Sequence, residues 1–145
     1  MTLRTFLIAG AAVLTLGTAS LPAFAGGSAI HIEQYGGDNE FGGGQHGHRN
    51  RITLYQNGYG NSSINDQTGA YNKAVVGQEG YGNSADTLQL GRHNIVGVAQ
   101  FGTSHTAVTT QDGNGNAIGV IQAGHNNDAH VTQVGHGNVS VIVQD

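Results

Sequence analysis

The sequence predicts an all-β fold: a β-solenoid of 22-residue strand-turn-strand rungs, stacked so that two parallel sheets face each other. Three observations predict it. Glutamine recurs every eleven residues, at Gln34, Gln45, Gln56, Gln67, Gln78, Gln89, Gln100, Gln111, Gln122, Gln133 and Gln144. Glycine follows two positions later at Gly36, Gly47, Gly58, Gly69, Gly80, Gly91, Gly102, Gly113, Gly124 and Gly135. Asparagine follows five positions after the glutamine at Asn39, Asn50, Asn61, Asn72, Asn83, Asn94, Asn116, Asn127 and Asn138, and His105 takes the one remaining seat. A fixed short period signals one small unit copied and stacked.

Each element follows from that unit. The seven residues from asparagine to glutamine alternate, as in Asn94–Gln100, Asn116–Gln122 and Asn138–Gln144. Period two with β-branched residues predicts a strand. The four residues between strands carry glycine second, with further Gly, Asn or Asp in Asn57–Gly60 and Asp112–Gly115. Those residue types tolerate positive φ and predict tight turns. Positions one, three, five and seven of each strand share a face. That face is expected to point inward, because Glu33, Glu40, Arg51, Asp66, Lys73, Asp86 and Asp128 all fall on the other one.

A second period lies inside the first. Inward positions are bulky in odd-numbered strands (Ile30/Ile32, Ile52/Leu54, Val96/Val98, Ile118/Val120). They are small or polar in even-numbered ones (Ser63/Asn65, Ala85/Thr87, Ala107/Thr109, Ala129/Val131). The rung is therefore 22 residues, and a large face on a small one fills a thin core. Stacking at this period sets Asn50, Asn72, Asn94, Asn116 and Asn138 in one column and Gln56 to Gln144 in another. Amides in such columns can donate and accept along the axis. Five and a half rungs at about 4.8 Å give a slab on the order of 26 Å tall.

The chain is expected to divide into an export signal, residues 1–25, and a repeat domain, residues 26–145. Arg4 supplies positive charge, Phe6–Leu16 is apolar, and Ala23-Phe24-Ala25 is a small-x-small cleavage site. The apolar run is too short for a membrane span. Removing Arg4 leaves four basic residues against nine acidic, so the net charge moves from −4 to −5. That balance gives no basic footprint for nucleic acid. Cysteine is absent, so no disulfide frames the fold, and the only proline is Pro22. Nothing in residues 26–145 then blocks strand pairing.

The repeat N-x-[AIV]-x-x-x-Q-x-G-x-x-N over about residues 28 to 144, behind an export signal and without Cys or Pro, resembles curlin, the amyloid subunit of curli fibres. The resemblance implies a β-solenoid that self-assembles at the bacterial surface for biofilm matrix, adhesion and cell aggregation. It also implies a nucleator subunit and an outer-membrane secretion channel as partners, with no cofactor. The family's major subunits carry a Gly-rich export-directing segment before the first repeat. Here only Gly26-Gly27 precedes Ser28, so the stretch 35–44 is expected in that role, Asn39–Gln45 being the poorest strand.

The ends of the stack are the expected site of action. Strand Asn138–Gln144 carries no charge or proline to blunt an edge. Ser28, Ile30 and Ile32 at one end and Val139, Val141, Ile142 and Val143 at the other are expected to form the assembly edge. The partner for the last strand would be the first strand, Ser28–Gln34, of another copy; such head-to-tail contacts do not close. The outer face of Ile95, Gly97, Ala99, Ala117, Gly119, Ile121, Val139, Val141 and Val143 reads as an apolar patch for lateral contact.

Eight histidines invite a metal site, but no three are spaced to converge. His105 is expected to fill the asparagine column, and Tyr59 and Tyr81 to form a stacked pair. No acid, base and nucleophile are spaced to act together, so an enzyme is not expected. The other readings are a minor nucleating subunit of the same fibre and a monomeric solenoid that binds glycan or another surface.

Overall fold

The computed structural model describes residues 26–145, and the signal peptide expected over residues 1–25 lies outside them. Eleven strands follow one another: β1 Ala29–Gly37, β2 Glu40–His48, β3 Arg51–Tyr59, β4 Ser62–Ala70, β5 Lys73–Tyr81, β6 Ser84–Arg92, β7 Ile95–Thr103, β8 Thr106–Asn114, β9 Ala117–His125, β10 Asp128–His136 and β11 Val139–Gln144. The odd strands form a six-stranded sheet in the order β1-β3-β5-β7-β9-β11, and the even ones a five-stranded sheet, β10-β8-β6-β4-β2. All described pairings are parallel and shifted by 22 residues, as in Gln56↔Gln78 and Gln67↔Gln89. The architecture is the two-sheet solenoid that the period predicts.

The core is thin and sits between the sheets. Ile52, Leu54, Val76, Val96, Val98, Ile118 and Val120 from the odd sheet meet Ala85, Ala107, Ala129 and Val131 from the even one, all buried. Ser63, Asn65, Thr87 and Thr109 are buried with them. Their polar groups pair along the column: Thr87 Oγ1 donates to Asn65 Oδ1 at 2.6 Å, and Asn65 Nδ2 to Ser63 Oγ at 2.7 Å. Polar groups enter this core because each has a neighbour in the adjacent rung or on its own strand.

One expectation needs correction. The strands are longer and later than the Asn–Gln segments: β3 runs Arg51–Tyr59 rather than Asn50–Gln56, and only Gly60-Asn61 separate it from β4. The ladder continues past the glutamine because glycine there takes φ of 92–131°, bending the chain without losing register. A Cβ at Gly58 or Gly80 would run into the backbone carbonyl of the glycine one rung on, so the seat excludes every other residue. The strand expected to be the poorest, Asn39–Gln45, does form, since Glu40–His48 pairs with β4 along its whole length. Backbone hydrogen bonds need no side chain. Ile30 and Ile32 are 46% and 40% exposed, although Ile52 and Leu54 one rung in are at most 1% exposed. The first rung has no neighbour above it.

Outward residues line up in columns as well. On the even sheet Ile64, Asp86 and Val108 are in register, so the Asp86 carboxylate stands between two aliphatic side chains although its surface is open. Loss of hydration there, followed by repulsion from Asp66, raises its pKa above the ordinary 3.8. Folding thus favours the protonated acid. The stability it contributes is full below pH 3.8 and is lost as pH rises through the raised value. Asp86→Asn is expected to raise the urea midpoint at neutral pH and to flatten its dependence on pH above 3.8. Gly80→Ala is expected to cost roughly 1–3 kcal/mol from its positive φ alone, read from the same denaturation curves.

Candidate functional site

The candidate site is the pair of open ends, and the amide columns determine what those ends offer. In the odd sheet, Nε2 of Gln34, Gln56, Gln78, Gln100 and Gln122 donates to Oε1 of the glutamine 22 residues on, at 2.6, 2.7, 2.8, 2.9 and 2.9 Å. In the even sheet, Gln45, Gln67, Gln89 and Gln111 do the same at 2.9, 2.6, 2.9 and 3.0 Å, ending on Gln133. The second amide proton crosses to the other sheet: Gln56 to the Glu40 carbonyl at 3.0 Å, Gln78 to Ser62 at 2.9 Å, Gln100 to Ser84 at 2.8 Å. Each glutamine therefore ties rung to rung and sheet to sheet. Among the described residues no buried side-chain nitrogen or oxygen lacks a partner.

The asparagine columns work differently from the amide-to-amide ladder expected of them. Asparagine Oδ1 accepts mainly the backbone N–H of the residue one rung on: Asn72 N–H donates to Asn50, Asn94 to Asn72, Asn116 to Asn94 and Asn138 to Asn116, all at 3.0–3.1 Å. Nδ2 closes the turn, as when Asn94 donates to the Leu90 and Gly113 carbonyls at 3.0 and 2.9 Å. The shorter side chain reaches backbone rather than its equal. Only Asn61 and Asn83 also make an amide-to-amide contact, at 3.1 and 3.0 Å, onto Asn39 and Asn61. Ser28 opens the column with a hydroxyl that accepts from Asn50 N–H at 3.1 Å.

His105 sits in the asparagine seat fully buried. Its N–H donates to Asn83 Oδ1 at 3.1 Å, Nδ1 accepts from Asn127 N–H at 3.2 Å, and Nε2 lies 3.1 Å from the Phe101 carbonyl. These partners require the neutral tautomer with hydrogen on Nε2. The two ring nitrogens thereby reproduce the acceptor and donor of asparagine.

Among the described residues, no further strand pairs beyond β1 and β2 at one end or β10 and β11 at the other. The carbonyls of Gln34 and Gln45 are the acceptors left at one end, and the columns stop at the amides of Gln144 and Gln133 at the other. Asn127 and Asn138 close their columns with Oδ1, while Ser28 and Asn39 open them with backbone N–H. One end thus presents what the other end lacks. The end side chains match this polarity of unmet partners: Val139, Val141 and Val143 are 75%, 69% and 64% exposed, and Ile142 is half-buried.

The outer face of the odd sheet holds a shallow apolar groove of about 310 Å³ lined by Val75, Gly97, Ala99, Gly119 and Ile121. A feature the sequence reading missed lies at the turns after β2, β4 and β6. Arg49, Tyr71 and His93 take φ of 55°, 61° and 57°, where the turns before β9 and β11 have glycine. Arg49 Nη1 donates to the Tyr71 hydroxyl at 2.7 Å, and the Tyr71 and His93 rings stack at 4.8 Å. With His48 and Arg92 they line a groove of about 630 Å³. The 22-residue spacing of the three was the available signal. Ring stacking falls here rather than on Tyr59 and Tyr81, which are register neighbours and mostly exposed. His31 and His130 pair with Glu33 and Asp128 at 3.0 Å, and no group of three metal-binding side chains gathers among the described residues.

The model of the curlin associated repeat matches residues 47–80 and 106–135. The chain carries curlin associated repeats over these two stretches. Comparison with curated proteins gives no match. The matched segments run from Gly47 to Gly80 and from Thr106 to Gly135, so three of their four ends are glycine seats described above.

His105 gives a direct test of the column. His105→Asn is expected to leave stability within about 1 kcal/mol, because both hydrogen bonds have a replacement. His105→Leu leaves the Asn127 N–H and the Phe101 carbonyl unpaired, and should lower unfolding free energy by roughly 1–3 kcal/mol for each group that stays dry, measured by urea titration.

Proposed function

We propose that this curlin-repeat chain is the polymerising subunit of an extracellular curli-type amyloid fibre, acting by templated self-association. One observation carries the reading: the two ends of the stack are complementary and unprotected. Gln144 and Gln133 end columns whose first members, Gln34 and Gln45, offer free carbonyls. Ile30 and Ile32 hold core seats that are dry everywhere deeper in the stack and wet only at its end. Adding a copy buries them. Soluble proteins normally blunt such edges with charge, proline or bulges, and a contact between unlike ends continues without closing.

In this reading residues 1–25 direct export and are removed, leaving residues 26–145 as the subunit. The fibre serves biofilm matrix, adhesion and cell aggregation at the bacterial surface. A nucleator subunit and an outer-membrane channel are its partners, by family resemblance. The structural ladder consists of the glutamine and asparagine columns, the turns depend on the glycine seats, and the assembly edge comprises Ser28, Ile30, Ile32, Val139, Val141, Ile142 and Val143.

The test uses residues 26–145 incubated without agitation. Sigmoidal dye binding, loss of the lag with preformed seeds and a fibre reflection near 4.8 Å are expected; a persistently folded, soluble monomer would support the binding-module alternative and reject this one. A proline variant isolates the end. The Ala117 N–H bonds the Asn138 carbonyl one rung on. By alternation, the N–H groups of Val139, Val141 and Val143 point away from the stack. Val141→Pro therefore removes a hydrogen bond that only a second copy could use. It is expected to leave the monomer's circular dichroism unchanged and to abolish seeded elongation; normal elongation by this variant would exclude β11 from the contact.

A further inference from the structure

Among the described residues eleven strands leave the sheets unequal, six against five. This odd count decides how a second copy can follow, an inference that rests on the fibre reading above. After β11, the next vacant place on the coil lies in the other sheet, beneath β10. A copy translated straight along the axis would put its β1 under β11 and its β2 one place too low. The resulting strand-wide gap under β10 would leave Gln133, the Asn127 side-chain carbonyl and the outward-pointing N–H groups of Asp128, His130 and Thr132 without partners.

We propose instead that successive copies are related by a half-turn about the stack axis. The first strand of each copy, β1, then pairs with β10 of its predecessor, and β2 pairs with β11. A half-turn exchanges the two sheets but keeps strands parallel, because the chain runs in opposite senses on the two sides of a coil. Register survives because both sheets share the eleven-residue unit. Gln133 meets Gln34 and Gln144 meets Gln45, each pairing a free amide proton with a free carbonyl. Asn127 and Asn138 meet the N–H groups of Ser28 and Asn39.

The side chains at the joint fit this arrangement. In the core, the small Ala129 and Val131 would cover Ile30 and Ile32. Ser140 would lie over Phe41, and Ile142 over Gly43, so each large residue faces a small one. On the outer face Val141 and Val143 would lie over Gly42 and Gly44, whereas straight translation sets Val143 beside Glu33. The joint also accounts for the Gly-rich composition of β2, which pairs across it. The simple pairing of the last strand with the first, expected from sequence, gives way to a crossed pair.

Absence of cysteine makes the test clean. One chain carries Glu33→Cys and is mixed with a second carrying Thr132→Cys; the control mixture pairs Glu33→Cys with Val143→Cys. Both mixtures place outward seats on candidate neighbouring strands, whose spacing suits a disulfide. Fibres seeded from each mixture are oxidised and run on a non-reducing gel. A covalent dimer is expected from the first mixture, with loss of that dimer in the control. A dimer from the control alone, or from neither mixture within fibres that give the cross-β reflection, overturns the half-turn. If the unsubstituted chain forms no seeded fibres, it is the fibre reading that fails.

Discussion

A primary amide buried in a protein must satisfy one acceptor and two donors at once, and the glutamine columns do so only in a single register. Gln78, for example, is bound by Gln56, donates to Gln100 and reaches the Ser62 carbonyl in the opposite sheet. A slip of one residue would turn such groups outward and bring solvent-facing ones in. Each amide left dry and unpaired costs on the order of 1–3 kcal/mol. Because the ladder repeats in every rung, the cost of a slip grows with the height of the stack. Register is thus held by polar groups, while the thin aliphatic core supplies unspecific attraction.

The turns divide the remaining tasks. Asparagine satisfies the carbonyls where the chain reverses and passes one hydrogen bond down the axis, a role that an imidazole of the right tautomer can also fill, as His105 does. Charge is distributed unevenly around this frame. All four Lys and Arg of residues 26–145, Arg49, Arg51, Lys73 and Arg92, lie within two residues of Asn50, Asn72 or Asn94. The slab accordingly has one cationic margin, although the chain as a whole is acidic. Arg51 and Lys73 are direct neighbours there, and nothing in the structure explains the juxtaposition.

Much of this was legible in the sequence because a repeat states its period outright. Alternation gave the inward seats, and large against small gave the two sheets. Strand boundaries were not legible. Glycine at Gly58 looks like the start of a turn, yet it carries the ladder onward because only a residue without Cβ fits beneath the next carbonyl. The glycines of β2 made it look the poorest strand, yet it pairs in full, since pairing uses backbone that composition does not display. The stack of Arg49, Tyr71 and His93 escaped notice because it uses backbone angles that ordinary residues avoid.

Gly124 and Gly135 carry a consequence of their own. Within one molecule a methyl group at either would meet nothing nearer than 3.6–3.9 Å, since no coil lies beyond them. Every equivalent glycine deeper in the molecule is hemmed in by backbone. Occupied by another subunit, these two terminal seats would become as crowded as the rest. A methyl group placed there would cost the solitary molecule only the strain of its positive φ. In a filament it would also strike the backbone of the next subunit, so the larger part of the defect would be felt by the polymer.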